Sequence, residues 1–550
     1  MNKKVFVIGL DGATWNIIDP LISEGELPTI RSLIGNGTRA VLQSTLIPLS
    51  PAAWTSFSTG CNPNKHGIFD FFGRKKGTYE SVVYSSRDRK CESLWSILSK
   101  QGKKVGILNV PGTYPVEKVN GFMITGFPTP EELEDYTYPT NLLSELKTEL
   151  GKDFRFQPKV QLFDEKLFLR EVHVLTEYVF QATNYLMNHN QWDFLMTVFV
   201  GPDALSHAFW KYMDPKHPLY DTDAPAELKN AIVDIYKELD KKIELLKKNI
   251  DSDTTLILMS DHGFGPLYYG VPINNWLLNE GFMTLKKTMP TRIRYWMFQR
   301  GINYYNLLKI TKVLRLSKYA HKAAFASKSS SVDFVNKFFL TNKDVDWSRT
   351  VAYCMGSFGQ LFINLKGREP QGIIESGEEY DKLVNDVIMR LSKFKDPNNN
   401  NIIFEKSFSK KQAYPQSNID DNTPDILFYD NEMKYSIDKF FMFGSKELVS
   451  IHPIWSGTHR HDGIFIAWAE NHIRKASRLE KADICDIAPT VLHLMGLPIP
   501  QDMDGKVLVN IFEKDSDIYR QQISDRPPSQ MTEVERINKR IKELKRIGKI

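Results

Sequence analysis

Four cysteines, Cys61, Cys91, Cys354 and Cys485, are all that the 550 residues contain, and none stands in a CxxC pair. That excludes a disulfide framework and a thiolate zinc site, and a reducing, cytoplasmic compartment is the expectation. Long apolar runs are equally scarce. None approaches the roughly 18 residues of a membrane-spanning helix, and the run at residues 5–10 is stopped by Asp11, too early for a secretion signal. No internal repeat occurs, which excludes solenoids and propellers. The one low-complexity patch, residues 398–401, reads as a loop.

What is present is ordinary globular composition, with 42% hydrophobic and 25% charged residues, enough for a large buried core. The charge is unevenly spread. Residues 286–337 hold twelve Lys/Arg against the single acid Asp333, a local +11 in a chain of net +5, so the remainder carries −6. This basic stretch mixes cations with aromatics (Arg292, Arg294, Trp296, Arg300, Tyr304, Tyr305) and runs into the small-residue segment ASKSSS. It reads as an ordinary solvated basic helix, as an insertion or cap that draws anionic phosphoesters inward, or as an interfacial helix on an anionic membrane surface. No specific nucleic-acid partner is expected.

Strand-like and helix-like segments alternate. Residues 5–10 form a strand, Pro28–Gly35 a helix, 91–102 an amphipathic helix ended by glycine, and 104–109 a strand. Residues 194–200 and Thr254–Met259 are short, uninterrupted apolar runs, as expected of central strands covered on both faces. The pattern predicts an α/β fold with a mostly parallel, doubly wound sheet. A first part of the core is expected over 1–269, the basic insertion over 270–345, and a second part of the core over 346–512, where QLFINL and GIFIAW resume the strand pattern. A polar linker and basic helix, with Val534, Ile537, Ile541 and Leu544 on one face, close the chain over 513–550.

Ligands of open α/β sheets bind at the carboxyl ends of strands, and five segments place reactive residues there. Asp11 follows the first strand. Ser50 precedes Pro51 and a helical pattern, so it lies near a helix N-terminus, where an anion is favoured. Ser44, Thr45, Thr55 and Ser56 are competing hydroxyls. Asp203 and His207 are four apart and share a helical face. Asp261 and His262 directly follow residues 254–259. His459 has His461 beside it as a decoy. Singly, each residue has an ordinary structural explanation, as a cap, a turn or a packed histidine. Together they supply three ligands for one divalent cation, and three plus a hydroxyl for another. Oxygen and imidazole donors suit zinc or manganese, and paired cations serve in-line displacement at phosphorus.

The same stretches carry a resemblance. VIGLDG, PLSPAAWTSFSTGCNPNKHGIFDFF, NVPGTYP, GPDALSHAFW, MSDHGFGP, INLKGREPQG, SGTHRHDG and DICDIAPTVLHLMGLPIPQDMDG resemble, in order and spacing, the type I phosphodiesterase/nucleotide pyrophosphatase branch of the alkaline phosphatase superfamily. The resemblance implies an alkaline phosphatase-like core and a metal-dependent hydrolase of phosphoric esters. It implies Ser50 as nucleophile where many members have Thr, in preference to Thr45 or Ser56. Asp203, His207 and His459 would hold one metal, and Asp11, Asp261 and His262 the other beside Ser50. A phosphoseryl intermediate would then be hydrolysed by water. Where nucleotide pyrophosphatases have an Asn that holds a phosphoryl oxygen, this chain has Phe71, and Lys65 is a candidate phosphate contact in its stead. Sulfatases share the fold, but Ser50-Pro-Ala-Ala lacks their C/S-x-P-x-R pattern, and Cys61-Asn-Pro-Asn-Lys falls downstream of the nucleophile. A transferase or a phosphomonoesterase on the same site, and a non-catalytic binding protein, are the alternatives.

Overall fold

The computed structural model describes residues 3–526 except 131, 132, 134, 152–154, 156, 157, 159–163, 303–339, 416–420, 438–442 and 453. Seven of the twelve cations of the basic stretch, the ASKSSS segment and the C-terminal helix expected around 534–544 lie outside the described residues.

Nine strands form the main sheet: β1 (Lys4–Leu10), β2 (Gly37–Gln43), β3 (Val105–Val110), β4 (Gly121–Thr125), β5 (Thr137–Tyr138), β6 (Phe194–Phe199), β7 (Thr254–Met259), β8 (Asp462–Trp468) and β9 (Ser477–Asp483). Their order is β9-β2-β8-β7-β1-β6-β3-β4-β5. β8 runs antiparallel to β2 and β7, and β5 antiparallel to β4; the other neighbours are parallel. This is the mostly parallel, helix-flanked sheet expected from the alternation of elements.

Period-two alternation in β1 divides the core. Phe6, Ile8 and Leu10 face one apolar cluster, and Val5 and Val7 the other. The second cluster includes α1 (Ser50–Thr59), and the first is built on α2 (Glu165–His189), α3 (Gly201–Met213) and α4 (Ala231–Lys247). The glycine of VIGLDG has a steric reason. A Cβ on Gly9 would stand 2.6 Å from the Trp54 ring, so only glycine lets α1 lie this close on β1. In register, Leu10 pairs with Phe199 and Gly9 with Met259, so β1, β6 and β7 end level. The residues that follow them therefore emerge together along one edge of the sheet.

QLFINL does not rejoin this sheet, which corrects the expectation for the region after Val351. Gly359–Ile363 instead pairs with Ala352–Cys354 and Ile426–Tyr429, the latter also with Lys406–Ser409, in a separate antiparallel sheet. A separate apolar cluster, drawn from 271–298 and 340–449, covers it. An apolar strand covered on both faces looks alike in sequence whichever sheet receives it. GIFIAW does return to the main sheet, within β8.

The stretch INLKGREPQG holds this second lobe together. Arg368 Nη1 donates to Asp425 Oδ1 at 3.0 Å, as do Lys410 Nζ at 2.8 Å and the Tyr380 hydroxyl at 2.7 Å. Glu369 receives Arg74 from the N-terminal half of the chain. Burial alone would raise Asp425, but Arg368 and Lys410 outweigh it and hold the carboxyl down at about 2.

A depressed carboxylate stabilises the folded state in full above its unfolded value near ~3.9. Asp425 should therefore contribute fully at neutral pH and lose its contribution as pH falls through about 2. Asp425→Ala, which strands buried cations, is expected to cost about 3–5 kcal/mol at pH 7, with a smaller penalty in acid. Urea midpoints at pH 7 and pH 3 check this; a penalty independent of pH would refute the electrostatic account.

Candidate metal-binding active site

Each segment brings its residue to the sheet edge by a local device. Asp11 follows β1 and is fixed by Trp54 of α1, whose indole Nε1 donates to Asp11 Oδ2 at 3.0 Å. Gly12 adopts φ +69° and gives its N–H to Asp261 Oδ1 at 3.2 Å. Asp203 and His207 lie in the first two turns of α3, directly after β6. Asp261 and His262 follow β7, and the next residues, Gly263–Pro266, pair with Gly457–Arg460, which delivers His459. Ser50 begins α1, whose ten residues are all buried.

The three histidines are oriented alike. Nδ1 of His207 lies 2.8 Å from the Gly457 carbonyl, that of His459 2.6 Å from Pro48 O, and that of His262 3.1 Å from Gly263 O. A carbonyl only accepts, so each Nδ1 carries the proton and each Nε2 presents a lone pair inward. His207 Nε2 and His459 Nε2 stand 3.0 Å apart, and Asp203 Oδ1 is 3.5 and 3.3 Å from them. His262 Nε2 lies 3.3 Å from Asp261 Oδ2, 3.6 Å from Asp11 Oδ1 and 4.0 Å from Asp203 Oδ1. The Ser50 hydroxyl is 3.2 Å from the same nitrogen. All six expected ligands and the expected nucleophile thus meet in one place, with Asp203 Oδ1 within 4.0 Å of all three rings.

Three carboxylate oxygens, Asp11 Oδ1, Asp203 Oδ1 and Asp261 Oδ2, are buried without a hydrogen-bond partner. Unpaired buried carboxylate oxygens are costly unless a cation meets them. Ligands about 2.0–2.2 Å from a tetrahedral cation stand roughly 3.3–3.6 Å apart, close to the spacings found. The cluster therefore fits divalent cations, and Asp203–His207–His459 and Asp11–Asp203–His262 each converge tightly enough to hold one. Asp261, next to His262, adds a donor to the second group.

The electrostatics agree. Burial pushes the Asp11 carboxyl well up, helped by Asp261 and Asp203, and lifts Asp261 to about 7, helped by Asp203. Burial works the same way on Asp203, but His207 and His459 overcome it and hold that carboxyl below its ordinary range. Burial lowers His207 to about 4 and puts His262 well below its ordinary value. The Asp203 and His207 side chains keep 22% and 18% exposure against 0% for Asp261 and His262, so the cluster opens to water on the Asp203–His207 side.

The sequence profile of the type I phosphodiesterase/nucleotide pyrophosphatase family matches residues 5–440. The chain belongs to that family. It is a hydrolase acting on phosphoesters, and the family is metal-dependent. His459 lies beyond the matched residues, and it is the fold that joins it to the other candidate ligands. Among solved structures, human ectonucleotide pyrophosphatase/phosphodiesterase 5 resembles this phosphodiesterase with a TM-score of 0.50 and 13% identity, covering 93% of this chain and 100% of its own. The murine protein of the same name gives the same values. At that identity the likeness speaks for the fold. No curated protein sequence matches.

Within this phosphodiesterase the competing hydroxyls are occupied elsewhere. Thr45 Oγ1 donates to Ile47 O and Thr55 Oγ1 to Pro51 O, Ser56 Oγ bonds His66 Nε2, and Ser44 lines a separate cavity. His461 is turned away, with Nε2 on Leu46 O. Lys65 also lies apart from the cluster, paired with Asp504 Oδ1 at 2.6 Å and donating to Asp502 O at 3.0 Å. Its partners belong to the late PQDMDG stretch, which also caps α1 through Asp504 N–H and Gly505 N–H to Gly60 O at 2.7 and 3.1 Å. Cys61 is buried, its thiol pushed up by its hydrogen bond with Cys91 and by burial. Sequence reasoning missed Trp54, the anchor of Asp11, and Phe358, whose ring stacks on His459 at 5.4 Å. Phe358 has φ +56°, rare for a bulky residue, and its glycine-flanked GSFG setting was the available signal.

Since burial keeps His207 and His262 neutral while Asp261, lifted to about 7, still holds its proton at pH 6, metal uptake should release more protons at pH 6 than at pH 9. Calorimetry in buffers of different ionisation enthalpy measures this; proton release unchanged from pH 6 to 9 would overturn the assignment. Trp54→Phe, which frees Asp11, should weaken metal binding about 10–100-fold, as loss of an outer-shell partner typically does.

Proposed function

We propose that the protein is a two-metal phosphodiesterase with Ser50 as nucleophile, Asp203, His207 and His459 holding one cation, and Asp11, Asp261 and His262 the other. The observation that carries this reading is the set of three unpartnered, buried carboxylate oxygens facing imidazole lone pairs beside the Ser50 hydroxyl. Zinc suits the thiolate-free donor set and its near-tetrahedral spacing, with manganese as the alternative. When bound, such cations lower the pKa of a nearby hydroxyl or water and offset charge at phosphorus.

The chain's own part follows from where its residues stand. Ser50 heads a helix whose dipole favours an anionic phosphoester. Its Oγ attacks phosphorus and the bond to the leaving alcohol breaks; the serine proton passes to solvent and the departing oxygen takes one up. Water entering on the Asp203–His207 side then cleaves the phosphoseryl ester, releasing a phosphomonoester and restoring the hydroxyl. Phe71, edge-to-face with Phe127 at 5.3 Å, sits with Pro51, Thr55 and Tyr84 around a narrow cleft beside α1. That aromatic wall favours esters with an apolar portion over a nucleotide gripped by a side-chain amide. Four buried cysteines, none in a disulfide, support a reducing, cytoplasmic setting.

A second reading concerns location. No helix among the described residues is long and apolar enough to cross a membrane. α5 (Met289–Gln299), however, exposes Met289 at 71%, Ile293 at 53% and Trp296 at 52%, spaced along one helical face beside Lys286, Lys287, Arg292 and Arg300. Exposed apolar residues flanked by cations are the pattern of a helix lying on an anionic bilayer, and this supports peripheral membrane attachment.

Ser50→Ala should lower metal-dependent cleavage of bis-p-nitrophenyl phosphate by about 10³-fold or more, with the diester preferred to p-nitrophenyl phosphate in the parent protein. Full activity of the variant would remove the nucleophile assignment. Monoester preference would favour a phosphomonoesterase, and product capture by an added alcohol in place of water a transferase. Replacing Met289, Ile293 and Trp296 with Ser should abolish salt-sensitive co-sedimentation with phosphatidylserine vesicles; no sedimentation of the parent protein would end the membrane reading.

A further inference from the structure

A second cavity, of about 680 Å³, opens on the same sheet edge and takes none of the seven residues above into its walls. It is framed by the ends of β2 and β9 and the start of β8, and the segment 43–46 forms part of its wall. Four residues beyond that segment comes Ser50, and within the gap Pro48 O fixes His459. The size falls within the range of small-molecule sites.

The lining is polar but offers little to an anion. Among the described residues its one guanidinium, Arg460, is spent on backbone carbonyls: Nη1 on Met433 O and His459 O, both at 2.9 Å, and Nη2 on Pro266 O at 2.7 Å. Two carboxylates, Asp462 and Asp483, share the wall. What remains is a set of neutral donors and acceptors. Ser44, only 5% exposed, has a buried Oγ without a hydrogen-bond partner. The half-buried Gln43 adds a side-chain amide to the same wall. The Tyr429 ring packs against His461 at 4.7 Å and gives one side an aromatic face.

A buried hydroxyl left unpaired costs free energy unless an occupant meets it. Amide, hydroxyl and carboxylate groups beside an aromatic ring, with no free cation among the described residues, match an uncharged ligand bearing several hydroxyls. We infer that this cavity binds a sugar or other polyol. The ligand is either a free polyol or the sugar portion of the phosphoester cleaved at the neighbouring cluster. Only the second source rests on the function proposed above; the binding itself does not.

The test uses the full chain and ligand-observed NMR with methyl α-D-glucopyranoside, methyl α-D-mannopyranoside and myo-inositol, with inorganic phosphate as competitor. At least one polyol is expected to bind, phosphate not to displace it, and Gln43→Leu and Ser44→Val each to weaken it about tenfold, the effect of one lost hydrogen bond. Gln43 is only partly buried, so Gln43→Leu keeps the test decisive if Ser44→Val fails to fold. No binding by any polyol, displacement by phosphate, or binding unchanged in Gln43→Leu overturns the inference, whatever the enzyme assays show. If binding holds, the polyol's effect on bis-p-nitrophenyl phosphate cleavage identifies the source: competitive inhibition marks a substrate sugar, and unchanged KM a free ligand.

Discussion

Three carboxylates crowded out of water around one imidazole nitrogen are the constraint on which the rest of the molecule turns. Asp11, Asp203 and Asp261 all point an oxygen toward His262 Nε2, at 3.3 to 4.0 Å. Negative charge at such density is unfavourable in a buried setting. The surroundings answer it by dividing the labour. Two histidine rings keep Asp203 ionised, whereas Asp11 and Asp261, deeper in the fold, are pushed toward their neutral forms. The strand ends, the Trp54 indole and the Gly12 amide all serve to keep these oxygens from drifting apart.

Much of this was legible in the residues. The apolar runs at β6 and β7 have no polar interruption because both of their faces are covered, so they announce a central sheet. Acid and imidazole side chains immediately after such runs then fall where the sheet edge must be. In the sequence Ser50 was preferred to Thr45 and Ser56 only by resemblance; in the structure Thr45, Thr55 and Ser56 bond local partners, whereas the Ser50 hydroxyl lies by His262. Lys65 shows the opposite case. A lysine near a nucleophile looks like a phosphate contact until the distant Asp504 is brought beside it, and no local pattern reveals a pairing across that separation. Trp54 was invisible for a similar reason, since a tryptophan in a helix reads as core whether or not its N–H holds a ligand.

The destination of Gly359–Ile363 marks another limit of local pattern. Its side chains satisfy the requirements of either sheet, and it is the pairing with Ile426–Tyr429, backed by the buried ion network of Arg368, Asp425 and Lys410, that ties it to the second lobe. That lobe places Phe358 against His459, so a strained loop from a peripheral sheet completes the wall of a site built on the central one.

The sheet order has a consequence for biosynthesis. β2, near the start of the chain, reaches β7 only through β8, which lies more than four hundred residues later, and the helix led by Ser50 is capped by Asp504 and Gly505. A polypeptide still emerging from the ribosome therefore has its first strands and the Ser50 helix waiting on segments not yet made. Closure has to wait until residues 462–505 have been made, and until then the early strands present unpaired edges and apolar faces.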